Sequence, residues 1–295
     1  MHPNLWGTVY SEFHVTRIVS LAFVTGAALF VGPLSVVAAD MQQTDVYVTE
    51  EVKPARKYPW SGDWYLKVGA AGYVSPKFEG SDKYRFFAQP LVSLGRQGEA
   101  ERFSSRNDNV SFALIDTDRF RVGAAGKILF KRDTDIDGIK ETRWGGEVGG
   151  FVDVYPTDWL RFRGEVRQGF RAHEGVVADI AADAFYDVTP VIRVSAGPRA
   201  TFASKDYMRT YYGVTAEEAV ASGLKEYRPG GGWESVGFGG AVTWRATDKI
   251  DTSLFAEYNR LQDKAKNSSI VRDYGSANQF TVGVSATYRF DFSID

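Results

Sequence analysis

The chain has 295 residues, with 35 lysines and arginines against 37 aspartates and glutamates, so no bulk charge draws it to nucleic acid. It contains no cysteine, which excludes disulfides and thiolate metal sites. Aromatics at 14%, 30 glycines and a mean hydropathy of -0.26 suit short, half-buried strands better than helices.

The first element is an apolar run from Ile18 to Ala39, placed behind Arg17. Gly26, Gly32 and Pro33 interrupt it, and it leaves through Val37-Ala38-Ala39, the small residues a signal peptidase requires. Residues 1–39 are therefore expected to be a signal peptide, with an uncleaved helical anchor as the alternative. Residues 40–63 follow as a polar stretch with Glu50, Glu51, Lys53, Pro54, Arg56, Lys57 and Pro59. It has no apolar period and reads as a flexible periplasmic tail.

From Trp64 to the end of the chain the apolar period is two. In 159–171 the even positions are Leu160, Phe162, Gly164, Val166, Gln168 and Phe170, while the odd ones include Arg161, Arg163, Glu165 and Arg167. Such a segment is a strand with unlike solvents on its two faces. The same alternation predicts strands at 64–74, 84–94, 110–114, 120–130, 144–154, 160–170, 176–186, 192–202, 236–244, 250–258 and 280–292. Each of them puts its uncharged face on even numbers. A short strand near 100–105 brings the expected count to about twelve, an even number as bacterial barrels require.

The even face is thin in large core fillers, with Ala70, Gly72, Ala88, Ala124, Gly146, Gly150, Ala178, Ala182 and Ala196. A packed sandwich interior would want those volumes filled, whereas lipid asks only for absence of charge. Aromatics stand near strand ends on the same face, among them Trp64, Tyr84, Phe120, Phe130, Trp144, Phe170, Tyr186, Trp244 and Tyr258. That is an interfacial girdle, and a midplane Lys or Arg there would cost about 2–4 kcal/mol. Connections alternate between tight ones (116–118, 156–158, 187–189, 246–249) and mostly longer ones (75–83, 131–143, 204–232, 261–278). The expected fold is all-β: an antiparallel transmembrane β-barrel over 64–295 with short periplasmic turns and longer extracellular loops, in the outer membrane.

Four places carry candidate chemistry. Asp133-Thr134-Asp135-Ile136-Asp137-Gly138 reproduces the first half of a calcium loop, but Trp144 stands where the bidentate Glu is needed. Asp133, Asp135 and Asp137 are thus a weak metal candidate beside the simpler reading of an acidic, solvated loop tip. The inward face gathers Arg121, Lys127, Arg161, Arg163, Arg167, Arg193 and Arg199 against Glu147, Asp153, Glu165, Asp179 and Asp183. Mixed signs at close quarters favour a salt-bridged interior over a selective pore lining. His173, next to Glu174 in a predicted outer loop, invites comparison with rim hydrolases; the simpler reading is a solvated loop histidine. In the 204–232 loop, Thr215-Ala216-Glu217-Glu218 is a capping box and Gly223 sits at a C-cap, which predicts a short helix, either a plug over the lumen or an external turn.

That loop also carries Tyr207-Met208, Tyr211-Tyr212-Gly213-Val214, Ala219, Ser222-Gly223, Tyr227 and Gly230 to Gly232, followed by Tyr258, Leu261, Asp263, Ala265 and Ser268-Ser269-Ile270-Val271. With Phe78-Glu79-Gly80-Ser81-Asp82 near the start, this stretch resembles the MipA/OmpV family of outer-membrane proteins over roughly 64–292. Relatives usually show Ser-Pro where this chain has Ser268-Ser269. The resemblance implies a non-enzymatic scaffold for murein-synthesising and murein-cleaving enzymes. A small-solute channel and a rim-located hydrolase are the alternatives. Expected partners are outer-membrane lipid, lipopolysaccharide and periplasmic murein enzymes; no cofactor is expected.

Overall fold

The computed structural model describes residues 61–96, 103–132 and 134–294. The expected leader at 1–39 and residues 40–60 of the expected tail lie outside those residues, while Gly62 and Asp63 already belong to the first strand. Eleven strands are described: β1 (Gly62–Pro76), β2 (Tyr84–Arg96), β3 (Val110–Asp116), β4 (Phe120–Leu129), β5 (Gly145–Thr157), β6 (Leu160–Phe170), β7 (Val176–Thr189), β8 (Ile192–Ala203), β9 (Gly232–Arg245), β10 (Ile250–Leu261) and β11 (Asn278–Ile294). They form one antiparallel sheet in the order β2-β1-β11-β10-β9-β8-β7-β6-β5-β4-β3, a nearly closed barrel in which the first strand pairs with the last.

Membrane-facing side chains fall on even numbers: Phe86, Val92, Phe112, Ile128, Val148, Phe162, Val166, Ile180, Phe238, Leu254, Val282 and Val284 are all exposed. Parity fails where a bulge inserts a residue. The register shift between Ala113 and Ile115 turns Asp116 inward opposite Arg121, and a shift in the β8–β9 ladder does the same for Glu234. Arg260, two residues beyond Tyr258, is exposed on the even face at the long-loop end of β10. Three of the four short turns share a device: the hydroxyls of Thr117, Thr189 and Thr247 each accept from the backbone N–H three residues on, at 3.1, 3.0 and 3.0 Å.

The expected twelfth strand is corrected. Residues 103–105 are not a strand, and 97–102 lie outside the described residues. The pairings fix the reason. Arg96 at the end of β2 sits opposite Trp64, at the same end of the barrel as Asp116 at the end of β3. Both strands therefore run toward the short turns, so the chain must return between them, and 103–109 is the part of that return that is described. It travels inside the lumen. Phe103 stacks on Phe185 at 4.3 Å, Asp108 reaches Arg161, and Asn109 donates to Glu165 at 2.9 Å. The described part of this return is a thread rather than a wall strand, with side chains bonded to β6, β8 and β10. Edges β2 and β3 consequently face each other without pairing.

Four short helices stand at the long-loop end: α1 (Lys205–Tyr212), α2 (Ala216–Ser222), α3 (Asp263–Lys266) and α4 (Ser269–Tyr274). The capping box predicted for α2 is present, with Glu218 N–H donating to Thr215 Oγ1 (3.2 Å), Thr215 N–H to Glu218 Oε2 (2.9 Å), and Gly223 left-handed at φ 75°.

Candidate functional site: the lumen and its cap

The charges of the inner wall are placed by register. Residues i and i+2 of a strand share a face, so Arg161, Arg163, Glu165 and Arg167 all point inward from β6. The ladders set Arg163 opposite Asp153 and Arg161 opposite Asp183. Arg161, with no solvent exposure, bonds Asp108 at 2.6 and 2.9 Å and Asp183 at 2.5 Å, with Asp153 3.8 Å away. Arg163 lies 3.1 Å from Asp153 and 2.7 Å from Glu165. Arg167 bridges Glu147 at 2.6 Å, Asp179 at 2.7 Å and Glu165. Arg199 carries the chain onward to Asp183 at 2.7 Å and Glu257 at 3.7 Å. The threaded segment is tied into this network from several sides: Arg199 donates to Ser105 (2.8 Å), Arg106 to Ser253 (3.0 Å), Asn107 to Glu257 (2.5 Å) and Tyr155 to the Phe103 carbonyl (2.8 Å).

Three cations of the predicted cluster stand apart from it. Arg121 pairs with Asp116 at 3.0 Å and Arg193 with Asp187 at 2.6 Å, both near the short turns. Lys127 faces Glu147 across the β4–β5 ladder, but Arg167 and His173 already occupy that carboxylate. Lys127 is exposed to a cavity of about 1650 Å³ that lies along β1–β4 and is bordered by Arg163, Glu165 and Arg167 of the network. Arg85 and the stacked pair Tyr73–Phe87 (5.5 Å) line the same cavity, which runs from the 116–118 turn to the underside of α1.

The cap has a core of its own. Tyr207, Met208, Tyr211 and Tyr212 of α1 pack with Val177, Ala203, Leu261, Ala265 and Val271, and Phe78, Val214, Leu224 and Ile270 form a second cluster. Glu234 is buried beneath it and accepts from Tyr212 at 2.7 Å and Tyr207 at 3.4 Å. Burial pushes the Tyr207 and Tyr212 phenols well above their ordinary value, and the Glu234 charge adds to the shift. Ser268 Oγ donates to the Tyr212 carbonyl (2.7 Å) and Ser269 Oγ to that of Lys225 (2.6 Å). Ser269 is the first residue of α4, a position where proline also fits because its missing N–H has no helical partner.

Geometry of this kind, a braced lumen under a tyrosine-built lid, meets a family-wide comparison. A family described as "MltA-interacting protein MipA" matches residues 68–290. The chain belongs to that family. It is an outer-membrane β-barrel protein. Among solved structures it is similar to a bacterial polysaccharide outer-membrane secretin (10% identity, 77% of this chain and 98% of that one, TM-score 0.36). It is also similar to OmpT of Vibrio cholerae (9%, 79% and 99%, 0.33) and OprG of Pseudomonas aeruginosa (8%, 79% and 97%, 0.27). No curated protein matches.

In this MipA-family barrel the expectation of a solvated His173 is corrected. The ring is 3% exposed and packs edge-on against Tyr207 at 4.9 Å. Its Nδ1 accepts from the Gly175 N–H at 3.1 Å, so Nε2 carries the proton and donates to Glu147 at 3.0 Å. His173 thus joins the ionic network to the cap. Of the calcium-like stretch, Asp133 lies outside the described residues. Asp135 pairs with Lys77, whose hydrogen bond holds its carboxyl below the ordinary range, and Asp137 is exposed. Among the described residues no three His, Cys, Asp or Glu side chains form a metal-holding group. Gly138, at φ 85°, lets the tip of that loop lie against Ala221 and Ser222, where a Cβ would come within 2.6 Å of backbone.

Sequence reasoning missed the thread. Asp108 and Ser105 carry no periodic signal. Only their polar character between two strong strands sets them apart. Helix α1 was also unmarked, since its Tyr207, Tyr211 and Tyr212 suit a strand equally well.

Proposed function

We propose that this protein is a non-enzymatic scaffold of the outer membrane that holds murein-active enzymes at its periplasmic face. The observation that carries this reading is the braced lumen: a wall of buried ion pairs, an internal thread and a folded lid make a stiff body. The family's description as MltA-interacting supports the partner class. The contact surface would be the 40–60 tail with the short turns, which by the bacterial barrel rule face the murein. Against a rim hydrolase, both ring nitrogens of His173 are engaged, leaving neither to activate a nucleophile.

Affinity capture of a murein lytic transglycosylase by the full barrel and by a variant lacking 40–60 tests the assignment. Capture is expected to fall with the tail deleted; equal capture removes the tail from the reading, and no capture by the full barrel removes the scaffold. A second reading, a small-solute channel, is favoured by the cavity of about 1650 Å³ alone. Planar-bilayer recording separates the two, since discrete openings that widen on removal of 103–109 would favour the channel.

A further inference from the structure

A second pocket, of about 350 Å³, lies at the long-loop end of β4–β6, formed by loop 131–143, the residues after β6, α1 and the start of α2. Its lining includes the cations Arg132, Lys140, Arg143, Arg171 and Arg209. The two carboxylates beside them are spoken for. Glu141 pairs with Lys131 at 2.5 Å, and Glu218 accepts from the backbone N–H groups of Thr215 and Lys140 at 2.9 and 3.0 Å. Arg143, Arg171 and Arg209 have no carboxylate within 4.0 Å among the described residues, and Lys140 only touches Glu217 at 3.9 Å.

Two features show a built site rather than a solvated basic face. Arg132 is 5% exposed, with its guanidinium 5.0 Å over the Phe78 ring and 5.5 Å over that of Tyr211; one terminal nitrogen donates to the Thr210 carbonyl at 3.2 Å, while Nε and the other terminal nitrogen have no hydrogen-bond partner. Buried guanidinium donors left unmade are costly, and an anion accepting from them removes that cost. Arg171 holds a left-handed backbone, φ 66°, which is strained for a residue with a Cβ. That conformation lays its guanidinium 3.8 Å over the Trp144 ring.

Trp144 also sets the depth. It is exposed on the lipid face beside Phe130 and Phe170, the aromatic belt that marks the membrane interface. Arg171, stacked on that belt, sits at the level of outer-leaflet headgroups. Planar guanidinia are the groups of choice for phosphate oxygens. We propose that this rim pocket binds the phosphate of an outer-leaflet lipid headgroup.

The test is binding by native mass spectrometry of the full barrel in neutral detergent. The probes are lipid A carrying its phosphates, the same lipid with the phosphates removed, and inorganic phosphate as competitor. Phosphorylated lipid is expected to bind at least about tenfold tighter than the phosphate-free form. An Arg143→Gln, Arg171→Gln, Arg209→Gln variant, altered only at exposed side chains, is expected to lose that difference. Equal binding of the two lipids by the unaltered barrel overturns the proposal without reference to any variant. Displacement of the lipid by equimolar inorganic phosphate overturns the lipid source, and unchanged binding by the triple variant overturns the site.

Discussion

The two halves of the lumen are built from the same alternation and behave differently. On the β5–β8 side the inward charges face opposite charges across adjacent strands, and the threaded segment adds further partners. On the β1–β4 side Arg85 and Lys127 look into open space, and two strand edges meet without a ladder. The difference teaches that an ionic inner face does not by itself make a pore or a plug. Cross-strand register and competition for each carboxylate together decide which charges are spent on the protein and which are left for solvent or solute.

That contrast can be broken most sharply at Arg161. Arg161→Met leaves Asp108, Asp153 and Asp183 facing one another, and removing one member of a buried pair costs about 3–5 kcal/mol. Thermal unfolding in detergent, followed by loss of the compact gel band, should show a large drop; an unchanged midpoint would mean that water already fills this half. Asp108→Asn keeps the shape but weakens the charged bonds of the thread, worth roughly 1.5–3 kcal/mol. Protease cleavage within 97–109 should become faster while the wall stays folded.

Alkaline titration probes the lid above the lumen. An unfolded tyrosine ionises near pH 10, and burial holds the cap phenols above that value. Their contribution is fully present below about pH 10 and is lost as pH rises toward the raised values, at about 1.4 kcal/mol per pH unit for each retained proton. Tyrosinate absorbance should therefore rise in two stages, the second coinciding with loss of the lid. A single stage near pH 10 with the lid intact would count against its dry core. The smallest effect is expected at Lys127→Gln, within about 0.5 kcal/mol, because nothing is left unpaired. A loss comparable to that of Asp108→Asn would place Lys127 in the network after all.

Much of this was legible in the chain. Parity along β5 to β8, the aromatic girdle and the threonine turns are local patterns, each readable in one strand. The α2 helix was marked by Thr215, Glu218 and Gly223, a signal contained in nine residues. The thread and the placement of His173 were not legible, because their partners lie far away in sequence: Asp108 is 53 residues from Arg161, and His173 is 26 from Glu147. Nothing near Phe103 to Asn109 says that a twelfth pass would leave the wall. Bulges escaped for the opposite reason: one extra residue in Ala113–Ile115 inverts a face without altering composition.

The pairing of first strand with last has a consequence for how the barrel is made. Strands β3 to β11 each neighbour the next in sequence and can zip as a meander. Among the described residues the β1–β2 hairpin faces β3 without a ladder, and the strand it pairs with is β11, the last of the barrel. A two-stranded hairpin is marginal by itself, and so long a loop closure is slow. Assembly of the barrel therefore finishes with its last strand. Chains cut short before Asn278 would strand their own amino-terminal hairpin, and the last seventeen-residue strand acts as the clasp that decides whether the first two belong to the protein at all.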